Sequence, residues 1–124
     1  MRPETADLGI VAAAALTHVG IIADRIHFRG GLVQHFPRLD WLLLQAEHVA
    51  HGAAYTIALG ICMKYAGGAS TAIVGAPACS LSVGVLQDLV FPSMKERHKP
   101  QWDQFMADII GTGAGYMFLA SYLQ

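Results

Sequence analysis

Three stretches without any charged side chain set the main constraint on how this chain folds. No Asp, Glu, Lys or Arg occurs between Asp7 and Asp24, between Lys64 and Asp88, or after Asp108. Each stretch is close to the roughly 20 apolar residues that a helix needs to cross a bilayer. Only 14% of the residues are charged, whereas soluble domains carry about 25%. The chain therefore lacks the charge needed to cover a water-exposed surface.

These stretches predict an all-α membrane protein, built as an antiparallel bundle of four transmembrane helices. Residues 1–124 are expected to form one membrane domain, because the chain is too short for two. The helices are expected at about 6–25, 40–64, 69–91 and 102–123. A soluble bundle with unusually apolar helices is the alternative. The first helix is expected to stay as an anchor, because the residues before it are not the basic start of a signal peptide.

The basic residues favour one side of this predicted topology. Six of the eight lie in the first and third loops: Arg25, Arg29, Arg38, Lys95, Arg97 and Lys99. The positive-inside rule then places both loops in the cytoplasm and both termini outside, as in a bacterial inner-membrane protein. The segment 65–70 contains two glycines and is predicted to be the turn between the second and third helices. With a net charge of −1 and no basic patch, nucleic acid is not expected as a partner.

Polar side chains gather near the cytoplasmic end of the predicted bundle. Glu47, His51 and Tyr55 are four residues apart and share one stripe of the second helix. Ionisable groups inside a membrane cost a few kcal/mol each, so they are expected to pair. Two interpretations stay open, a lock between helices or a site for a lipid headgroup, a proton or a metal. The predicted polar cluster contains Glu47, His48, His51, Tyr55, Gln87, Asp88, Arg97, Asp103 and Asp108.

No metal or other cofactor is expected from these residues. Two histidines near carboxylates are suitable zinc ligands, but the acids are scattered over other helices without the spacing of a known ligand motif. Haem bound by His18 together with His48 or His51, as in a redox anchor, is a further alternative, but no other haem signature accompanies it. No nucleophile motif is present, so no catalytic residue or reaction is assigned.

Small residues and cysteines give weaker expectations. Gly111 and Gly115 form a G-x-x-x-G pair, which allows close approach of helix backbones. Packing within the bundle is the favoured interpretation, and contact with another membrane protein subunit is the alternative. Membrane lipids are the expected surroundings of the chain. Cys62 and Cys79 are expected to be buried free thiols.

Two segments resemble a known family. Glu47-x-x-x-His51-x-x-x-Tyr55 resembles the D-K-x-x-H-x-x-x-Y segment of VanZ-like membrane proteins, with Glu in place of Asp and His48 in place of Lys. The family's later pattern ends in A-N-x-x-G-x-x-x-G. The residues that resemble this later pattern are Gln87, Pro92, Arg97, Asp103 and the segment 107–115, in which Asp108 stands for Asn. The stretch WDQFMAD also resembles the YjdF-like inner-membrane proteins.

The resemblance implies a small multi-helix membrane protein and does not imply a particular activity. VanZ itself is associated with resistance to glycopeptides such as teicoplanin. Two functions of different class are therefore expected. One is binding of an envelope lipid or small molecule at the polar cluster, and the other is an accessory subunit of a larger membrane complex.

Overall fold

The computed structural model describes residues 4–27, 37–94 and 99–124, with the side chains of 25–27 and 37 excepted. The first helix is Thr5–His27, the long helix is Pro37–Gly84, and the last helix is Trp102–Tyr122. The long helix continues through a π-helical turn, Val85–Val90, and a short helical turn, Phe91–Ser93. The described ranges contain no strand, so the prediction of an all-α fold is confirmed.

A single glycine divides the long helix into two arms. Gly68 has φ 84° and ψ 177°, a conformation that glycine adopts without strain and other residues avoid. The first arm, 37–67, and the second arm, 69–93, fold back on each other, since a Cβ placed on Gly75 would lie 3.0 Å from the Met63 sulfur. The turn predicted over 65–70 is thus reduced to one non-helical residue.

The last helix packs closely against both arms. A Cβ on Gly52 of the first arm would lie 2.9 Å from the carbonyl oxygen of Asp108, and a Cβ on Gly115 would lie 2.8 Å from the Thr56 side chain. Residue numbers rise together along these contacts, so the last helix runs parallel to the first arm. On the second arm, the Ser80 hydroxyl lies 3.0 Å from that of Thr112. The G-x-x-x-G pair therefore packs within this chain.

The first helix runs antiparallel to the first arm. Asp7 accepts a hydrogen bond from Lys64 at one end of the pair, and His18 lies against His51 towards the other end. Between these ends the buried core contains few large side chains, because small residues bring the helices close together. Its largest apolar cluster consists of Ile61, Ala76 and Leu119.

Two segments of the described residues are long and apolar enough to cross a membrane, Thr5–Asp24 and Arg38–Ser93. The sequence predicted four transmembrane helices. The second segment covers two of them, whereas the last helix is not included, because its glycines and Asp108 lower its mean hydropathy. Only 11% and 22% of the most apolar windows are buried in the chain. By length and composition both segments could cross a membrane, and most of their residues are not buried within the described part of the chain.

Exposed apolar side chains occur on all helices. Leu16, Val74 and Met117 are each about 70% exposed, at 70%, 71% and 69%. The two cysteines belong to this outer surface as well. Cys62 and Cys79 are free, but both are exposed, so the prediction of buried thiols is wrong. They lie on the helix faces that no neighbouring helix covers.

A second polar group, which the sequence argument missed, ties the helices together at the end that carries both termini. This terminal cluster contains Asp7, Lys64, Tyr65 and Tyr122. Asp7 is 1% exposed and accepts hydrogen bonds from Lys64 Nζ at 3.0 Å, from the Tyr122 hydroxyl at 2.8 Å and from the Tyr65 hydroxyl. One carboxylate thus joins the first helix, the first arm and the last helix.

Replacing this carboxylate is expected to loosen the bundle. Asp7→Asn keeps the shape of the side chain but removes the charge that pairs with Lys64, and charge-assisted hydrogen bonds are about twice as strong as neutral ones. We expect the midpoint of thermal unfolding in detergent, monitored by circular dichroism, to fall by a few degrees. Glu4→Gln, at an exposed position three residues earlier, is the control. Equal midpoints for the two variants would show that the terminal cluster is not a lock.

Candidate functional site: a polar cavity between the helices

A cavity lined mainly by polar side chains lies between the first helix, both arms and the start of the last helix. Its volume is about 460 Å³, within the range of about 300–1,000 Å³ found for small-molecule sites. Its lining is partly apolar and includes Ile21, Ile22 and Leu44. The polar residues that line this polar cavity are His18, His48, His51, Gln87, Asp88, Gln101 and Gln104.

Three side chains from three different helical segments meet at its buried side. His48 Nδ1 lies 3.0 Å from Asp108 Oδ1, and the two side chains are 11% and 6% exposed. Asp88 is 3% exposed. One donor atom from each of the three residues lies within 4.8 Å of the others. We call His48, Asp88 and Asp108 the buried triad.

Asp88 differs from the other members of the buried triad in its hydrogen bonding. Within the described ranges, no donor reaches its Oδ2 atom, which is fully buried. A buried carboxylate oxygen without a partner costs free energy, because it has lost its hydration. The buried triad therefore contains one carboxylate oxygen that a bound group would stabilise.

The local backbone explains how Asp88 reaches this position. The N–H of Phe91 bonds to the carbonyl of Leu86, the five-residue spacing of a π-helix, which widens the helix and occurs often at functional sites. Pro92 has no N–H to donate to the carbonyl of Asp88, four residues earlier. The backbone N–H of Gln101 donates to that carbonyl instead, at 2.7 Å. The start of the last helix is thereby fixed beside the cavity.

Two further histidines line the cavity side by side. His18 Nδ1 lies 2.9 Å from the carbonyl oxygen of Ala14, which can only accept, so Nδ1 carries the proton. The rings of His18 and His51 meet edge to face with centroids 4.7 Å apart, and His51 stacks on Tyr55 at 6.0 Å. Because the two imidazole rings touch, no space for a porphyrin remains between His18 and His51.

The predicted polar cluster divides into several groups in the structure. His48, His51, Gln87 and Asp88 line the cavity, and Asp108 lies behind them. Arg97 lies outside the described residues.

The other predicted residues lie around this group. Glu47 is buried at 8% exposure and is not among the residues that line the cavity, and Tyr55 stacks on His51 beside it. Asp103 belongs to a separate, exposed group, in which its Oδ2 accepts from Trp41 Nε1 at 3.1 Å and Gln45 Nε2 at 3.2 Å.

Sequence reasoning left three cavity residues out of the cluster. Gln101 and Gln104 lie beside Trp102 and Asp103 at the start of the last helix and were not assigned to the predicted cluster. His18 was considered as a haem ligand. The available signal was its position as the sole imidazole in the charge-free stretch between Asp7 and Asp24, because polar groups inside membrane helices generally face the bundle interior or a water-filled cavity.

A second cavity lies between the first helix and the first arm, with Phe118 of the last helix also in its lining. It has a volume of about 380 Å³, and we call it the apolar groove. Thr17 and Ala50 line the apolar groove, whereas the next residues along the chain, His18 and His51, line the polar cavity. The groove residues are Ile10, Ala13, Ala14, Thr17, Ala50, Ala53, Ala54, Ile57 and Phe118. The two cavities are thus neighbours, one polar and one apolar.

Comparison with known proteins found no match to a family model, to a curated protein or to a solved structure. The VanZ-like and YjdF-like resemblances stay predictions made from the residues alone.

Proposed function

We propose that this chain is an integral membrane protein that binds an amphipathic molecule of the membrane, with its headgroup in the polar cavity and its apolar chain in the apolar groove. The observation that carries the proposal is the pairing of these two cavities. A site of this kind matches a lipid better than a water-soluble metabolite, because a metabolite has no apolar chain to fill the apolar groove.

The outer surface supports a membrane location. Large exposed apolar patches on a chain mark contact with a membrane or with a partner protein. Here apolar side chains are exposed on every helix, and the break at Gly68 allows the segment Arg38–Ser93 to cross a bilayer twice. Together with the first and last helices this gives a bundle of four transmembrane helices. The positive-inside rule then places the termini outside.

The aromatic side chains support the same arrangement and give the depth of the site. Trp41 and Trp102 are 53% and 61% exposed at one end of the bundle, as expected of residues at a membrane interface. From Trp102 to Tyr122 the last helix covers about 30 Å at about 1.5 Å per residue, the thickness of the hydrocarbon layer. His48 lies about 10 Å along the first arm from Trp41. The polar cavity is therefore just below the headgroup region.

The lining explains why a headgroup would bind there. Gln87, Gln101 and Gln104 each offer donors and acceptors, and the imidazoles add more of both. At a low-dielectric depth such groups gain more from a polar ligand than they would in water. Exposed Ile22 in this lining opens the cavity towards the lipid-facing surface, so that a lipid can enter from the bilayer.

Filling the apolar groove is expected to reduce the lipid that stays bound. The chain is extracted from membranes with a mild detergent, purified, and its retained lipid is quantified by mass spectrometry. Ala13→Leu adds three carbons to a residue that lines the groove, and we expect a several-fold loss of retained lipid. Gln104→Leu removes one amide from the polar cavity, and a loss of the same kind is expected.

The matched control is Ala12→Leu, the same substitution one residue earlier, at an exposed position that does not line the groove. It should retain the wild-type amount of lipid. Recovery of the wild-type chain in the soluble fraction without detergent would overturn the membrane location. Equal lipid in all three variants, together with a stoichiometric second protein, would favour an accessory subunit instead.

A further inference from the structure

We infer that the buried triad, His48, Asp88 and Asp108, is a binding site for a divalent transition-metal cation of the zinc class. This inference goes beyond lipid binding and does not depend on it, because the triad lies at the buried side of the polar cavity and is complete within this chain. No sequence motif indicates the site, since its three residues come from the first arm, the π-helical turn and the last helix.

The geometry fits a small cation. Zinc bonds to imidazole nitrogen and carboxylate oxygen are about 2.0–2.2 Å long, which places ligand atoms about 3–4 Å from one another. His48 Nδ1 and Asp108 Oδ1 are 3.0 Å apart, and one donor atom of Asp88 lies within 4.8 Å of both residues' donor atoms. Small side-chain rotations would close the three donors around one ion.

The charges also favour a cation. Two carboxylates held together in a low-dielectric site repel each other, and a protonated His48 would compensate only one of them. A divalent cation with a neutral imidazole would balance both. The cation would also give the Asp88 carboxylate a partner. Its Oδ2 atom is fully buried and has no hydrogen-bond donor in the described part of the chain. A proton shared by the two carboxylates is the competing explanation.

The donor set selects the class of metal. One imidazole with two carboxylates suits zinc and its neighbours, whereas magnesium and calcium prefer oxygen donors alone. Three protein ligands leave one coordination position of a tetrahedral ion open. Because His48 and Asp88 also line the polar cavity, that position would face the cavity.

Metal titration of the detergent-purified full chain tests the inference. After treatment with a chelator, Zn²⁺ is titrated by calorimetry and Co²⁺ by visible absorption. We expect one equivalent to bind, with absorption bands of cobalt bound to nitrogen and oxygen, and Zn²⁺ should raise the midpoint of thermal unfolding. Asp88→Asn and His48→Gln should each weaken Zn²⁺ binding by roughly 100-fold. Losing a residue that only hydrogen-bonds to a metal ligand already costs up to about that factor, and these two residues are proposed as direct ligands.

Asp103→Asn is the matched control, because Asp103 is an exposed acid at the same end, bonded to Trp41 and Gln45. It should bind Zn²⁺ as the wild type does. Equal binding by wild type and Asp88→Asn would assign the metal to other histidines and overturn the inference. The absence of binding in the wild type would overturn it in favour of the shared proton. Because no lipid is added, neither result depends on the lipid proposal.

Discussion

Gly111→Ala is expected to destabilise the protein more than any other single methyl group added to its helices. A Cβ at this position would overlap the backbone carbonyl of Val49 and lie 3.0 Å from the backbone nitrogen of Ala53. Backbone atoms cannot move aside by changing rotamer, so the last helix would have to separate from the first arm. We expect a loss of about 3 kcal/mol or more in the free energy of unfolding, at or above the usual cost of overpacking.

Gly113→Ala provides the matched control within the same helix. In the described part of the chain, a Cβ at Gly113 has no atom of another helix within 4 Å, so the added methyl group meets no described neighbouring helix. Alanine also favours helix over glycine by up to about 1 kcal/mol, and Gly113→Ala should be neutral or slightly stabilising. Reversible unfolding in mixed detergent micelles measures both variants. Similar losses for the two would mean that the last helix does not pack on the first arm through Gly111.

The positions of the helices could be predicted from the sequence because long stretches without charged residues are typical of helices in an apolar environment. The expected helix at 102–123 corresponds to Trp102–Tyr122, and the expected first helix at 6–25 to Thr5–His27. The break at Gly68 was predicted less accurately. A pair of glycines indicates a turn, but whether one or six residues leave the helix depends on how closely the two arms pack.

The buried triad was much less predictable from the sequence. His48 and Asp108 are bonded across 60 residues of sequence, and the rotation of the helices decides which of the neighbouring residues Glu47 and His48 reaches Asp108. The four-residue spacing predicted that Glu47 and His51 share the stripe that faces the polar cluster. The π-helical turn Val85–Val90 shifts the second arm at Asp88, and no residue spacing in the sequence predicts this turn. The sequence placed His48, Asp88 and Asp108 within a larger predicted polar cluster, but their pairing required the tertiary structure.

The Leu119 side chain is one of the few large ones in the buried core and fills space left by small residues. Leu119 is fully buried, and a Cβ placed on Gly60 would overlap both of its methyl groups. Leu119→Ala removes this contact and leaves a cavity, at an expected cost of about 2–5 kcal/mol. Gly60→Ala keeps Leu119 but overpacks the same space, with an expected cost of about 1–3 kcal/mol.

The two substitutions together should cost less than the sum of the single losses. In Leu119→Ala the space beside Gly60 is empty, so the methyl group of Gly60→Ala no longer collides and instead fills part of the cavity. We expect a favourable coupling of about 1–3 kcal/mol between neighbouring positions in a double-mutant cycle of unfolding free energies. Distant substitutions add independently, and Gly113→Ala combined with Leu119→Ala provides that reference. If the losses in unfolding free energy of Gly60→Ala and Leu119→Ala simply add, the two residues do not share one space. That result would contradict the close packing of the first arm on the last helix in the middle of the bundle.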